Sequence, residues 1–154
     1  MLFYFLMLVP LAAMMVSDWK SRTVSIAWLV LLFLLAGTGS VFTNGVETAL
    51  VYIGINLATL LLTGFALWVY SRLRGKALGE MGGLGDFLFF VALTPLAAPV
   101  DFVRGAVIVL VSSLLLWLLL RKHFALDTIP LITFCGIPLA GIVILIFVFG
   151  REFV

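Results

Sequence analysis

Asp86 ends a glycine-rich run, Gly79-Glu80-Met81-Gly82-Gly83-Leu84-Gly85-Asp86, and stands directly before Phe87-Leu88-Phe89-Phe90. A carboxylate at the mouth of an apolar run is costly, and an ionisable residue at membrane depth is a functional candidate by default. Among the seven acidic residues, Asp18 is placed in a similar way, closing the apolar run that ends in Met14-Met15-Val16-Ser17. Two carboxylates held close cannot both ionise cheaply, so they share a proton and titrate apart. One can then act as a base toward water and the other as an acid toward a carbonyl oxygen or a leaving amine. That chemistry needs neither a metal nor an organic cofactor. The glycines suit it, because they let backbone approach a substrate closely. An extended peptide can pair with unoccupied main-chain groups, and the segment 82–85 is expected to offer such an edge through Gly82, Gly83 and Gly85.

Other chemistries lack their residues. The single cysteine, Cys135, excludes an internal disulfide and a cysteine-based zinc site, and reads as a small apolar filler. His123 is the only histidine and follows Arg121-Lys122, which makes it a solvated interface residue rather than the base of a triad. Glu80 could hold a basic peptide by charge, or be a solvated loop acid. Asp127 reads as the entry residue of the last helix. The bland readings of the two main candidates are a helix N-cap for Asp86, and for Asp18 an interfacial acid paired with Lys20 or Arg22.

The elements that must position these residues are membrane helices. Of 154 residues, 65% are hydrophobic and 10% are charged, with a mean hydropathy of +1.35. A soluble domain carries about 25% charged residues. Charge-free windows fall at 1–17, 23–46, 48–71, 87–100, 105–120 and 128–150. A crossing helix needs about 20 apolar residues, so the fourth window reaches that length only if it begins near Gly82. The expectation is an all-α integral membrane protein, a bundle of six transmembrane helices forming one domain over 1–154. The run Met1–Ser17 lacks a basic start and a small-residue cleavage site, and reads as a retained first span.

With six alternating spans, one side receives Lys20, Arg22, Arg72, Arg74, Lys76, Arg121 and Lys122, seven of the nine cations. Cytoplasmic loops carry the excess of Lys and Arg. Both termini are therefore expected outside, with Asp18 and Asp86 at the cytoplasmic face of a multi-pass cell-membrane protein. Gly37-Thr38-Gly39-Ser40 and Thr43-Asn44-Gly45 read as turns. Pro95 and Pro99 should end or kink the fourth helix, and Asp101 should cap the fifth. Asn56, Thr59 and Thr63 share a face of the third helix and read as interhelical hydrogen-bond partners. Trp28, Trp68, Tyr70 and Trp117 lie where belt aromatics lie. The net charge of +2 does not suggest nucleic acid.

Gly83-Leu84-Gly85-Asp86 matches the Gly-x-Gly-Asp signature of membrane-embedded aspartic proteases. Asp18-Trp19-Lys20-Ser21-Arg22 resembles the first aspartate region of type IV prepilin peptidases, and Ile129-Pro130-Leu131-Ile132-Thr133-Phe134 resembles the segment opening that family's final helix. The chain has Val24-Ser25 where the family often has Ile-Pro, and Phe87-Leu88 where it often has Val-Lys. Leu84-Gly85-Asp86-Phe87 is also similar to presenilin-type proteases. There the two aspartates lie on successive helices, whereas here 68 positions separate them. The resemblance implies an aspartic endopeptidase, with Asp18 and Asp86 catalytic, that removes the basic leader of pilin-like precursors at the cytoplasmic membrane edge. It implies the short, peptidase-only form, without the methyltransferase activity or the cysteine-bearing insert of long members. Two other classes fit the same residues: a small transporter or channel subunit using the aspartates as proton or cation sites, and a non-catalytic assembly scaffold.

Overall fold

The structure, a computed structural model, describes residues 2–75, 83–124 and 130–149. These residues form helices α1 (Leu2–Leu6), α2 (Leu8–Ser21), α3 (Ile26–Asn44), α4 (Val46–Arg74), α5 (Leu84–Ala92), α6 (Pro99–Phe124) and α7 (Leu131–Phe149), with no strand among them. Three segments are long and apolar enough to cross a membrane: Ile26–Asn44, Val46–Arg74 and Pro99–Leu120. Expected loop residues 76–82 and 125–129, which include Glu80, Gly82 and Asp127, lie outside the described residues.

The first apolar window is two helices, not one. Pro10 sits in the first turn of α2, and without an N–H it cannot bond to the Leu6 carbonyl. The helical path still continues through Met7 N–H to Phe3 O and Leu11 N–H to Met7 O, at 3.2 Å each, so the break is a kink. Met7, Leu11 and Met14 then fall on one face, the spacing that points side chains into a core, and all three are buried. Leu29, Leu32 and Ala36 do the same on α3. Phe89 and Ala92 of α5, Phe102 and Val109 of α6, and Ile132, Cys135 and Leu139 of α7 complete the cluster. In contrast, α4 turns Leu61, Leu62, Phe65 and Leu73 outward. An apolar exterior over apolar helices is what a lipid environment permits.

Several turns differ from expectation. Gly37 to Ser40 lie inside α3, and the link to α4 is a single residue, Gly45, at φ +85°. Helical backbone through the first glycines costs less than opening a turn within a long apolar span. Asp101 does not cap α6. The helix starts at Pro99, whose missing N–H is no loss in a first turn, and Asp101 pairs with Arg104 at 3.7 Å.

The fourth window forms the shortest of its expected crossings, a helix of nine residues spanning about 13 Å. Pro95 cannot donate a continuing hydrogen bond, so the chain turns after Ala92 through i to i+3 contacts such as Leu96 N–H to Leu93 O at 2.9 Å. Leu93, Thr94 and Pro95 are buried in this bend. Irregular backbone away from water survives only where its polar groups find partners. Asn56, fully buried on α4, supplies them: its amide donates to the carbonyls of Thr94 at 2.8 Å and Ala97 at 3.0 Å. Thr59 and Thr63 do not share this role, because their hydroxyls donate back to Ile55 O and Thr59 O of the same helix at 2.9 Å.

Asn56→Leu is therefore expected to lower unfolding stability in detergent by about 1–3 kcal/mol, the cost of orphaned buried carbonyls. Thr63→Val, which loses only a contact within its own helix, is expected to cost less than about 0.5 kcal/mol in the same titration.

Candidate active site

Asp18 lies in the last turn of α2 and is 6% exposed. Its Oδ2 accepts two hydrogen bonds from Thr133, from the backbone N–H at 2.9 Å and from the hydroxyl at 3.0 Å. Thr133 is the third residue of α7. The first bond within α7 runs from Phe134 N–H to Pro130 O at 3.1 Å, so Pro130 stands at the cap position. Proline has no side-chain acceptor, and the first N–H groups of any helix lack partners in their own helix. Asp18 supplies the acceptor from another helix, 115 residues away in sequence. The positive end of the α7 dipole faces this carboxylate.

Close approach of α2 and α7 makes this contact possible. A Cβ built at Gly136 would lie 2.6 Å from Met15 Cγ and Sδ, so only glycine admits the Met15 side chain there. One turn earlier, the Thr133 hydroxyl also lies 3.0 Å from the Met15 carbonyl. Trp19 meets the Phe134 ring edge-on, with centroids 6.5 Å apart. Backbone, side chain and ring contacts thus converge within one turn on either side of Asp18.

Asp86 stands in the first turn of α5 and is partly buried. Its Oδ2 accepts from the Gly83 N–H at 3.2 Å, the reach-back of an acidic residue to the residue that begins its helix. Beside it, a Cβ at Gly85 would lie 3.8 Å from Val24 Cγ2, so the start of α5 meets the chain that leaves α2 six residues beyond Asp18. The structure therefore sets the start of α5, with Asp86, beside the chain that leaves α2, the helix that carries Asp18. The Cys135 thiol, buried on α7, lies 3.6 Å from Ser113 Oγ of α6.

Of the glycines, Gly83 is extended, at φ −80° and ψ 149°, while Gly85 already lies in the helical first turn of α5. The edge expected over 82–85 is shortened accordingly, since the Gly83 N–H is taken by Asp86 and Leu84 and Gly85 are helical. A helix start, which satisfies the acid locally, wins over an open strand. A Cβ at Gly85 would sit 3.8 Å from Val24 Cγ2, an ordinary contact, so packing alone does not demand glycine here. Gly82 and Glu80 lie outside the described residues.

Thr133 is the site residue that motif reading passes over. It falls within the segment that resembles the family's final helix, yet only its polarity among Leu131, Ile132 and Phe134 distinguishes it in sequence. The described residues contain no cluster of three or more His, Cys, Asp or Glu side chains that could hold a metal. Comparison with protein-family models, with curated proteins and with solved structures gives no match.

The Gly136–Met15 contact gives a test of how Asp18 is held. Gly136→Val is expected to destabilise the protein by about 1–3 kcal/mol through overpacking. Adding Met15→Ala should recover part of that loss, a coupling that a double-mutant cycle on unfolding free energies measures directly.

Proposed function

We propose that this protein is a membrane-embedded aspartic endopeptidase of the prepilin peptidase type. The observation that carries the reading is that Asp18 ends α2 and Asp86 begins α5, two helices far apart in sequence, with a Cβ at Gly85, beside Asp86, falling 3.8 Å from Val24, six residues beyond Asp18. In support, the second aspartate is preceded by Gly83-Leu84-Gly85, and the cation bias toward the same end of the bundle favours a cytoplasmic site. The proposed topology has six crossings. α1 with α2 forms the first, α3 and α4 the next two, α5 with its bend the fourth, and α6 and α7 the last two. Both termini then lie outside the cytoplasmic membrane.

In the proposed reaction the substrate is a pilin-like precursor whose apolar segment lies in the bilayer while its basic leader stays cytoplasmic. One aspartate takes a proton from water as the oxygen attacks the scissile carbonyl. The other gives its proton to the carbonyl oxygen, leaving a neutral gem-diol. In breakdown, the first returns its proton to the departing amine as the C–N bond breaks, and the second recovers one from a diol hydroxyl. The dyad ends as it began, and no cofactor enters. Gly83 and Gly85 serve by leaving room for peptide backbone beside Asp86.

A second reading has its own observation. Both carboxylates accept from amides at helix starts, Gly83 N–H and Thr133 N–H, as they would in a scaffold without catalysis. Purified protein in liposomes, mixed with a single-span precursor bearing a basic leader and a glycine before its apolar run, separates the two. Asp18→Asn and Asp86→Asn are each expected to reduce cleavage by at least about 10³-fold, as removal of a member of a catalytic unit does. Gly85→Ala, which the fold accommodates, is expected to raise KM more than it lowers stability. Undiminished cleavage by either Asp→Asn variant would refute the dyad.

A further inference from the structure

We infer that Thr133 is the positioning residue of Asp18, occupying Oδ2 so that proton transfer takes place at Oδ1. The inference rests on the dyad reading above, but its geometry stands by itself. The Thr133 N–H, 2.9 Å from Oδ2, belongs to helix backbone and has no freedom to turn away. The hydroxyl lies 3.0 Å from Asp18 Oδ2 and 3.0 Å from the Met15 carbonyl oxygen. It has one proton and two acceptors, so it donates to one of them at a time.

That arrangement suits a carboxyl that alternates between charged and neutral forms. While Asp18 is ionised, the hydroxyl donates to Oδ2 and strengthens a charge-assisted pair. When Oδ1 receives the proton from water, Oδ2 becomes a weaker acceptor, and the hydroxyl can turn to the Met15 carbonyl. Neither state leaves the hydroxyl without an acceptor. No bond to carbon changes in this exchange, and the proton on Oδ1 leaves with the amine. Because the partner carbonyl belongs to α2 itself, the threonine ties Asp18 and its own helix backbone to the same side chain. The Gly136–Met15 contact, one turn along α7, holds the two helices at the distance this requires.

Two substitutions separate positioning from packing. Thr133→Val keeps the shape and the backbone N–H but removes the hydroxyl; Thr133→Ser keeps the hydroxyl and removes a methyl. With the precursor in liposomes, T133V is expected to lower kcat about 10- to 100-fold, the cost of a displaced catalytic group. KM should stay within about twofold, because peptide binding is untouched. T133S should restore kcat to within about threefold of the parent, since the hydrogen bond returns.

A readout independent of activity follows Asp18 itself. Labelling by dicyclohexylcarbodiimide, mapped by mass spectrometry, should quicken at Asp18 about tenfold in T133V, the equivalent of one charge-assisted hydrogen bond, and be unchanged in T133S. If T133S is as impaired as T133V, or both match the parent in kcat and labelling, the positioning role is overturned. If the parent protein cuts no precursor, the protease reading fails, and the labelling comparison still decides the role of Thr133.

Discussion

A carboxylate at the start of another helix is the contact on which this bundle depends. The start of α7 presents amides that its own cap residue, Pro130, cannot satisfy, and Asp18 meets one of them from α2. Helix starts favour negative charge, so the contact gives an acid in an apolar chain a place to reside. It also sets the register between two helices that are distant in sequence. Met15 lies against Gly136 on one side, and Trp19 lies against Phe134 on the other. The same bond is thus both a structural tie and the means by which a candidate catalytic group is aimed.

Asp86 is held by a different device. Its helix is short because Pro95 stops it, and the bend that follows is stabilised from α4 by Asn56. A nine-residue helix would wander if its far end were loose. With the bend tied to Asn56, the first turn of α5 has a defined position against α3, where Gly85 faces the chain leaving α2 at Val24. Polar side chains are few in this protein. Two buried ones that bond across helices, Asp18 and Asn56, each support a place where helical hydrogen bonding is incomplete: a helix start in one case, a helix break in the other. Neither is a solvated surface group brought inside by accident, since each meets donors or acceptors that would otherwise be unpaired.

Local satisfaction of the two aspartates does not conflict with catalysis. A dyad must be rigid enough to hold a water between its members, and hydrogen bonds from backbone amides are the stiffest donors a protein has. What distinguishes a working dyad from two helix caps is proximity, and the start of α5 lies beside the chain that leaves α2, a Cβ at Gly85 falling 3.8 Å from Val24 Cγ2. Among the glycines ahead of Asp86, Gly83 and Gly85 form a helix start and not a long pairing edge.

The helical, membrane-spanning character of the chain was legible in its sequence, because apolar runs bounded by charges report their own solvent. The placement of Asp18 and Asp86 at the ends of such runs marked them as candidates, because an acid there has an energetic cost. Asn56 was legible as an interhelical donor, though its neighbours Thr59 and Thr63 were not distinguishable from it by spacing; a hydroxyl can bond to its own helix, and an amide on that face reached another. The break of the fourth segment was legible in Pro95, but the tertiary structure alone decided that Gly37 to Ser40 stay helical and that Thr133 meets Asp18. The reason is common to both. Whether a backbone turns or a hydroxyl finds an acceptor depends on which group lies across the helix interface, and that neighbour is set by packing between segments up to 115 residues apart.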